Sequence, residues 1–251
     1  LDLALILLST KVLSLVTKRF KLPQVVGSLL AGLILGPAVL NIIHETDFIK
    51  QLAEVGVIVL LFNAGLESNL SEFKKSGKTS FIVAVMGVMI PLIGGTILAY
   101  CINHGKVENV SVFVQNIFIG SVLTATSVSI TVETLRELGK VSTSVGNIIV
   151  GAAIIDDVLG MLVLTIITSL AGSSVSVIKV IVKIVGFFIF SIIVGIITYK
   201  LFNKWVDKYD IDKRRFVIVS FVICLLLSFS AEEFFGVADI TGAYIAGLVL
   251  S

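Results

Sequence analysis

Charge is scarce in this chain. Of 251 residues only 14% are Asp, Glu, Lys or Arg, while 57% are hydrophobic. Soluble domains carry roughly 25% charged residues, so this composition, with a mean hydropathy of +1.10, speaks for a membrane protein and against a water-soluble one. Cysteine is nearly absent as well. Cys101 and Cys224 lie in or beside apolar runs and far apart, as packing residues do, with no disulfide framework or metal-site spacing. The two histidines, His44 and His104, fall in short polar loops and read as solvated side chains rather than pH sensors. No signal-peptide cleavage pattern is visible. The net charge of +2 says little, because placement matters more than the total.

What is present is a series of long apolar runs. A bilayer-crossing helix needs about 20 mostly apolar residues, and this ruler marks nine candidate spans, near 1–18, 23–43, 49–66, 80–102, 112–135, 144–171, 175–202, 214–231 and 237–251. The connections are short, so residues 1–251 read as one all-α polytopic transmembrane domain with no soluble module. Basic residues are unevenly shared among the loops. The first holds Lys18, Arg19 and Lys21, the third Lys74, Lys75 and Lys78, and the fifth Arg136 and Lys140. The seventh holds Lys200, Lys204, Lys208, Lys213, Arg214 and Arg215, whereas the even-numbered loops have Lys50 and Lys106 alone. The positive-inside rule therefore predicts cytoplasmic odd-numbered loops and an external N-terminus.

Against this background two adjacent aspartates stand out. Residues 148–171 read IIVGAAIIDDVLGMLVLTIITSLA, and Asp156 and Asp157 are the only charges in them. An aspartate at the centre of a membrane helix costs about 2.5–3.5 kcal/mol on insertion scales, and a like charge next door adds repulsion when both ionise. Such a pair predicts compensation by a cation or by protons. Consecutive helical residues point about 100° apart, so the two cannot share one task equally: one can face a cavity while the other faces a neighbouring helix. Lys179 and Lys183 are tempting partners for Asp156, but their place in the first turns of a span points to snorkelling towards the interface.

The preceding span carries LTATSVSIT (123–131), with Thr124, Thr126, Ser127, Ser129 and Thr131 within eight positions. Membrane helices tolerate back-bonded hydroxyls. The alternative is an unwound stretch whose carbonyls and hydroxyls supply hard oxygen ligands, which survives at membrane depth only beside a cavity or inside protein. Oxygen ligands beside a carboxylate suit a small alkali cation, and span six would bring Asp157 alongside.

An internal echo links VGSLLAGLIL (26–35) to TGAYIAGLVL (241–250): Gly27/Gly242, Ala31/Ala246, Gly32/Gly247, Leu33/Leu248 and Leu35/Leu250 match. Small residues at helix contacts produce such likeness by themselves. On the predicted topology, however, the second span runs outward and the ninth inward, the mark of an inverted-repeat transporter. A first repeat from span two to span six would then end on the aspartate helix. A second would begin near 237, with about four spans expected beyond this sequence.

On LPQVVGSLLAGLILGP (22–37), LAEVGVIVLLFNAGLE (52–67), TATSVSITVETLRELG (124–139), GAAIIDDVLG (151–160) and ITGAYIAGLVL (240–250), the chain resembles the monovalent cation:proton antiporter-2 family, the Kef- and NapA-type exchangers, over its whole length. The resemblance implies the inverted-repeat Na⁺/H⁺ antiporter fold, here incomplete, with a broken helix crossing near the aspartate helix. It further implies a homodimer in the cell membrane, with a mobile core that moves in an elevator-like step. Asp157 would bind the cation (Na⁺) or proton in exchange, with Asp156 the second member of the pair and Thr126 and Ser127 at the crossing point. Thr124, Ser129 and Thr131 form the supporting polar segment. Kef-type potassium efflux members carry Gln-Asp at the pair, so Asp-Asp favours Na⁺ over K⁺. The family's second crossing helix and the lysine that pairs with the first aspartate lie outside this sequence, so these residues alone are not expected to transport.

The expected activity is thus secondary-active Na⁺/H⁺ (or K⁺/H⁺, Li⁺/H⁺) antiport by competition for one buried carboxylate, with no enzyme activity, no cofactor and no nucleic-acid partner. A K⁺/H⁺ antiporter or K⁺ efflux system of the same family, a passive cation channel and a same-fold symporter for an organic anion are the alternatives. An intramembrane aspartic protease is disfavoured, because its two aspartates must face each other from different helices.

Overall fold

The computed structural model describes residues 1–68, 70–102, 110–171, 176–206 and 213–251; His104, Lys106 and Lys208 lie outside the described residues. Among the described residues the chain is all helix, with no strand: α1 (Asp2–Arg19), α2 (Gln24–Leu35), α3 (Asp47–Glu67), α4 (Leu70–Ile102), α5 (Val112–Val122), α6 (Val128–Glu137), α7 (Ser144–Leu170), α8 (Val177–Val206), α9 (Lys213–Glu233) and α10 (Asp239–Leu250). Each of the nine apolar runs forms a helix, and the fifth forms two. Five helices contain stretches long and apolar enough to cross a membrane, in α3, α4, α7, α8 and α9.

Helix starts follow from side-chain caps. Thr46, Ser111, Ser127 and Thr143 each accept the backbone N–H three residues on, at 3.1–3.3 Å, which satisfies one of the four orphan donors at a helix N-terminus. Two boundaries differ from the apolar runs by eight residues or more. The second run was expected to span 23–43, but α2 stops at Leu35. Gly36 is extended (φ −75°, ψ −173°), as suits a residue before a proline, and Pro37 follows it. Conversely α4 begins ten residues before its apolar run, so Lys74, Lys75 and Lys78 are helical rather than in a loop. Lysine propagates a helix nearly as well as leucine does, and an apolar ruler does not register that.

Two clusters form the core. The larger joins Leu61 and Phe62 of α3, Val128 and Val132 of α6, Val150 and Ile154 of α7, Leu227 of α9 and Tyr244 of α10. The smaller gathers Ile184 and Phe187 of α8 with Ala231 and Val237. Cys224 is buried in the larger cluster, whereas Cys101 is exposed in the last turn of α4, contrary to the packing role expected of it. α3 and α10 approach closely. A Cβ on Gly65 would stand 2.9 Å from the Gly247 Cα, and one on Gly247 would stand 2.8 Å from the Leu66 nitrogen. Nearby, Tyr244 donates to Ser68 Oγ at 3.0 Å, and Ser68 donates to the Ala64 carbonyl at 2.7 Å.

The two segments that echo each other in sequence also share local geometry. A Cβ on Gly27 would press into the backbone of Leu13 and Ser14 of α1, and one on Gly242 into that of Leu227 and Ser228 of α9. The turn before α2 passes through Lys21 at φ 60°, and the turn before α10 through Gly236 at φ 66°. Leu22 N–H donates to the Thr17 carbonyl in the first turn, and Val237 N–H to that of Ala231 in the second. The pairs α1–α2 and α9–α10 are therefore alike from the helix crossing through the turn, one helix earlier than the sequence echo begins.

Candidate ion site

The fifth run breaks where its hydroxyls cluster. α5 ends at Val122, α6 starts at Val128, and residues 123–127 are not helical. The break is held by its own side chains: Thr124 Oγ1 donates to the Ser121 carbonyl at 2.8 Å, Ser127 caps α6, and Thr131 Oγ1 donates back to the Ser127 carbonyl at 2.9 Å. Ser129 sits half-buried in the first turn of α6. Thr126 does something different. Its hydroxyl leaves the segment and donates to Asp156 Oδ2 at 2.7 Å.

The unwound stretch is as expected, but the carboxylate it reaches is Asp156 rather than Asp157. α7 is continuous through both aspartates, so the 100° step between them turns one to the break and the other away. Asp156 is buried, and its Oδ1 has no hydrogen-bond partner among the described residues. On that side a Cβ on Gly87 of α4 would stand 3.9 Å away, so α4 and the break enclose this residue. Asp157 is half-buried and opens onto a cavity of about 250 Å³, lined also by Val158, Met161, Val237 and Ala238. The far wall of that cavity is the turn into α10.

Lys179 and Lys183 are both exposed and pair with neither aspartate. The ion pair among the described residues joins Arg136 Nη2 to Glu67 Oε1 at 3.3 Å. Asp156 thus has a hydroxyl partner and no cationic one among the described residues. Two carboxylates that the apolar and hydroxyl patterns did not single out, Glu133 and Glu137, line a second cavity of about 430 Å³ between α6 and helices α1 to α3. Their i,i+4 spacing puts both on one face of α6, a signal present in the sequence.

The arrangement leaves one carboxylate, Asp157, open to a cavity, beside a second, Asp156, that is buried and held by a neutral donor. Residues 4–251 match the family model described as sodium/hydrogen exchanger, transmembrane. The chain is 39% identical over 254 residues to a probable Na(+)/H(+) antiporter, GerT, of Bacillus cereus, covering 100% of this chain and 64% of that protein. It is 36% identical over 253 residues to the Na(+)/H(+)-K(+) antiporter GerN of Bacillus cereus, covering 100% of this chain and 62% of that one. With a Na(+)/H(+) antiporter of Enterococcus hirae the identity is 35% over 257 residues, covering 99% of this chain and 64% of the relative. The chain therefore spans under two thirds of the length of these relatives. It belongs to the sodium/hydrogen exchanger family of transmembrane proteins.

Proposed function

We propose that this chain forms the larger part of a secondary-active antiporter that exchanges Na⁺ for H⁺ across a cell membrane, with Asp157 as the shared binding group. The observation that carries this is the split pair: Asp157 faces a cavity while its neighbour is held by Thr126 at a helix break. A water occupies about 30 Å³ of liquid, so a cavity of about 250 Å³ holds several, and a cation can arrive partly hydrated. Once at Asp157 it excludes the proton, and the proton excludes it. An empty, ionised Asp157 is poorly solvated at membrane depth and crosses the barrier least readily. Movement of the loaded forms alone makes the exchange obligatory with one site.

Asp156 serves as the fixed member. A hydrogen bond to a charged acceptor contributes about 1.5–3 kcal/mol, and the Thr126 bond ties α7 to the break so that both halves of the site move together. The shared geometry of α1–α2 and α9–α10 supports the inverted-repeat reading, in which the chain is one domain of nine spans with the second repeat continuing past residue 251. The charge asymmetry of the loops supports cytoplasmic odd-numbered loops and an external N-terminus, and the family resemblance supports a homodimer. K⁺ as a third transported ion is the second reading, favoured by the likeness to a relative named a Na(+)/H(+)-K(+) antiporter.

The test is Asp157→Asn in the full-length protein, assayed by dye-reported proton flux in everted vesicles with Na⁺, K⁺ and Li⁺ in turn. Cation-driven proton movement is expected to vanish for every cation. Exchange at the unsubstituted rate would refute the assignment of Asp157, and uncoupled cation flux in the unsubstituted protein would replace exchange by conduction.

A further inference from the structure

α1 and α2 pack closely on each other, and α2 reaches the rest of the described fold chiefly through α6. That joint is narrow. The cavity of about 430 Å³ opens between the two sides, with Ser14, Gln24 and Ser28 on one wall and Gly56, Glu133 and Glu137 on the other. One side chain crosses it. Both oxygens of Glu137, in the last turn of α6, accept the backbone N–H of Gln24 at 2.9 Å. Gln24 is the first residue of α2, so the carboxylate caps the positive end of that helix. Arg136, next to it, pairs with Glu67 of α3, but both of those side chains are exposed, and exposed pairs hold loosely.

α6 is also the helix that begins at Ser127, directly after the Thr126 that holds Asp156. Its two ends therefore do different things: the first joins the aspartate helix, and the last joins α2. An exchanger must expose the pair to each side of the membrane in turn, so the helices bearing the site have to shift against some other part of the chain. A packed apolar seam such as α3 on α10 resists that shift, whereas a cleft crossed by one exposed carboxylate yields to it. We propose that Glu137 is a conformational latch and positioning residue. Its bond to the N-terminus of α2 is made when the site faces one side of the membrane and broken when it faces the other. This rests on the antiport reading above.

The consequence is a signature with a direction. The apparent dissociation constant on a given side equals the intrinsic one divided by the fraction of molecules facing that side. Glu137→Gln weakens the cap, depopulates the latched exposure and populates the other. The apparent KM for Na⁺ is expected to rise on the latched side and fall on the opposite side, the two fold-changes multiplying to about two- to fivefold. A substitution that merely damages the fold moves both in one direction or lowers only the maximal rate.

The experiment compares Glu137→Gln with the unsubstituted full-length protein in everted and right-side-out vesicles. A second arm places Gln24→Cys and Glu137→Cys together in an otherwise cysteine-free full-length protein and bridges them with a short bis-methanethiosulfonate. Opposite KM shifts on the two sides, with exchange stopped by the bridge and restored by reductant, are the expected results. KM shifts in the same direction or none at all, failure of the bridge to form, or full exchange through the bridge would each overturn the latch. A lack of exchange in the unsubstituted protein is a different failure: it refutes the antiport reading and takes the latch with it.

Discussion

Thr126→Val in the full-length protein removes one hydroxyl and little volume, and the structure sets what that costs. The Thr126 hydroxyl is the donor that Asp156 has through Oδ2, at 2.7 Å, while Oδ1 is buried without a partner among the described residues. Losing a hydrogen bond to a charged group costs about 1.5–3 kcal/mol. At 1.4 kcal/mol per decade that is roughly a ten- to hundredfold change in the folded fraction. Thr126→Ser keeps the donor and loses a methyl group, for about 1 kcal/mol or less. The assay is thermal unfolding of the purified protein, run as a double-mutant cycle with Asp156→Ala. The valine substitution is expected to be costly when Asp156 is present and to cost under about 0.5 kcal/mol when it is not. Equal cost in both backgrounds would refute the pairing and reduce Thr126 to a packing residue.

The α3–α10 crossing has no room for a methyl group, so Gly65→Ala and Gly247→Ala should each destabilise the protein by about 1–3 kcal/mol or more, read as loss of monodisperse protein after heating. Tyr244→Phe and Ser68→Ala should each cost about 1 kcal/mol in the same assay, since each removes the bond between Tyr244 and Ser68. Thr143→Ala removes the cap of α7 and should cost about 1 kcal/mol in thermal unfolding. Lys179→Ala and Lys183→Ala, both at exposed positions, should leave the exchange rate within about twofold, since exposed charges away from specific partners contribute little.

Much of this was legible in the sequence, for identifiable reasons. Helix existence followed from apolar runs longer than a bilayer needs, and the break at 123–127 from five hydroxyls packed into eight positions. The separation of Asp156 from Asp157 followed from helix geometry alone. Which of the two faced the break did not follow, because that azimuth is set by how α7 lies against α4 and α6. The end of α2 at Gly36-Pro37 was written in the sequence but hidden by the apolar residues on either side. The Glu137 cap on Gln24 joins positions 113 residues apart, and no local pattern announces such a pair. Cys101 shows the converse limit: an apolar neighbourhood predicts burial only when another helix covers that face.

The central claim is that Na⁺ and H⁺ compete for one carboxylate, and it is tested most directly by the apparent KM for Na⁺ measured across pH in the full-length protein reconstituted in liposomes. Competition at Asp157 predicts that KM rises about tenfold for each unit by which pH falls once the carboxylate is mostly protonated, with an unchanged maximal rate at saturating Na⁺. A KM that stays flat while the maximal rate falls would mean that proton and cation bind at separate groups, and would contradict the account.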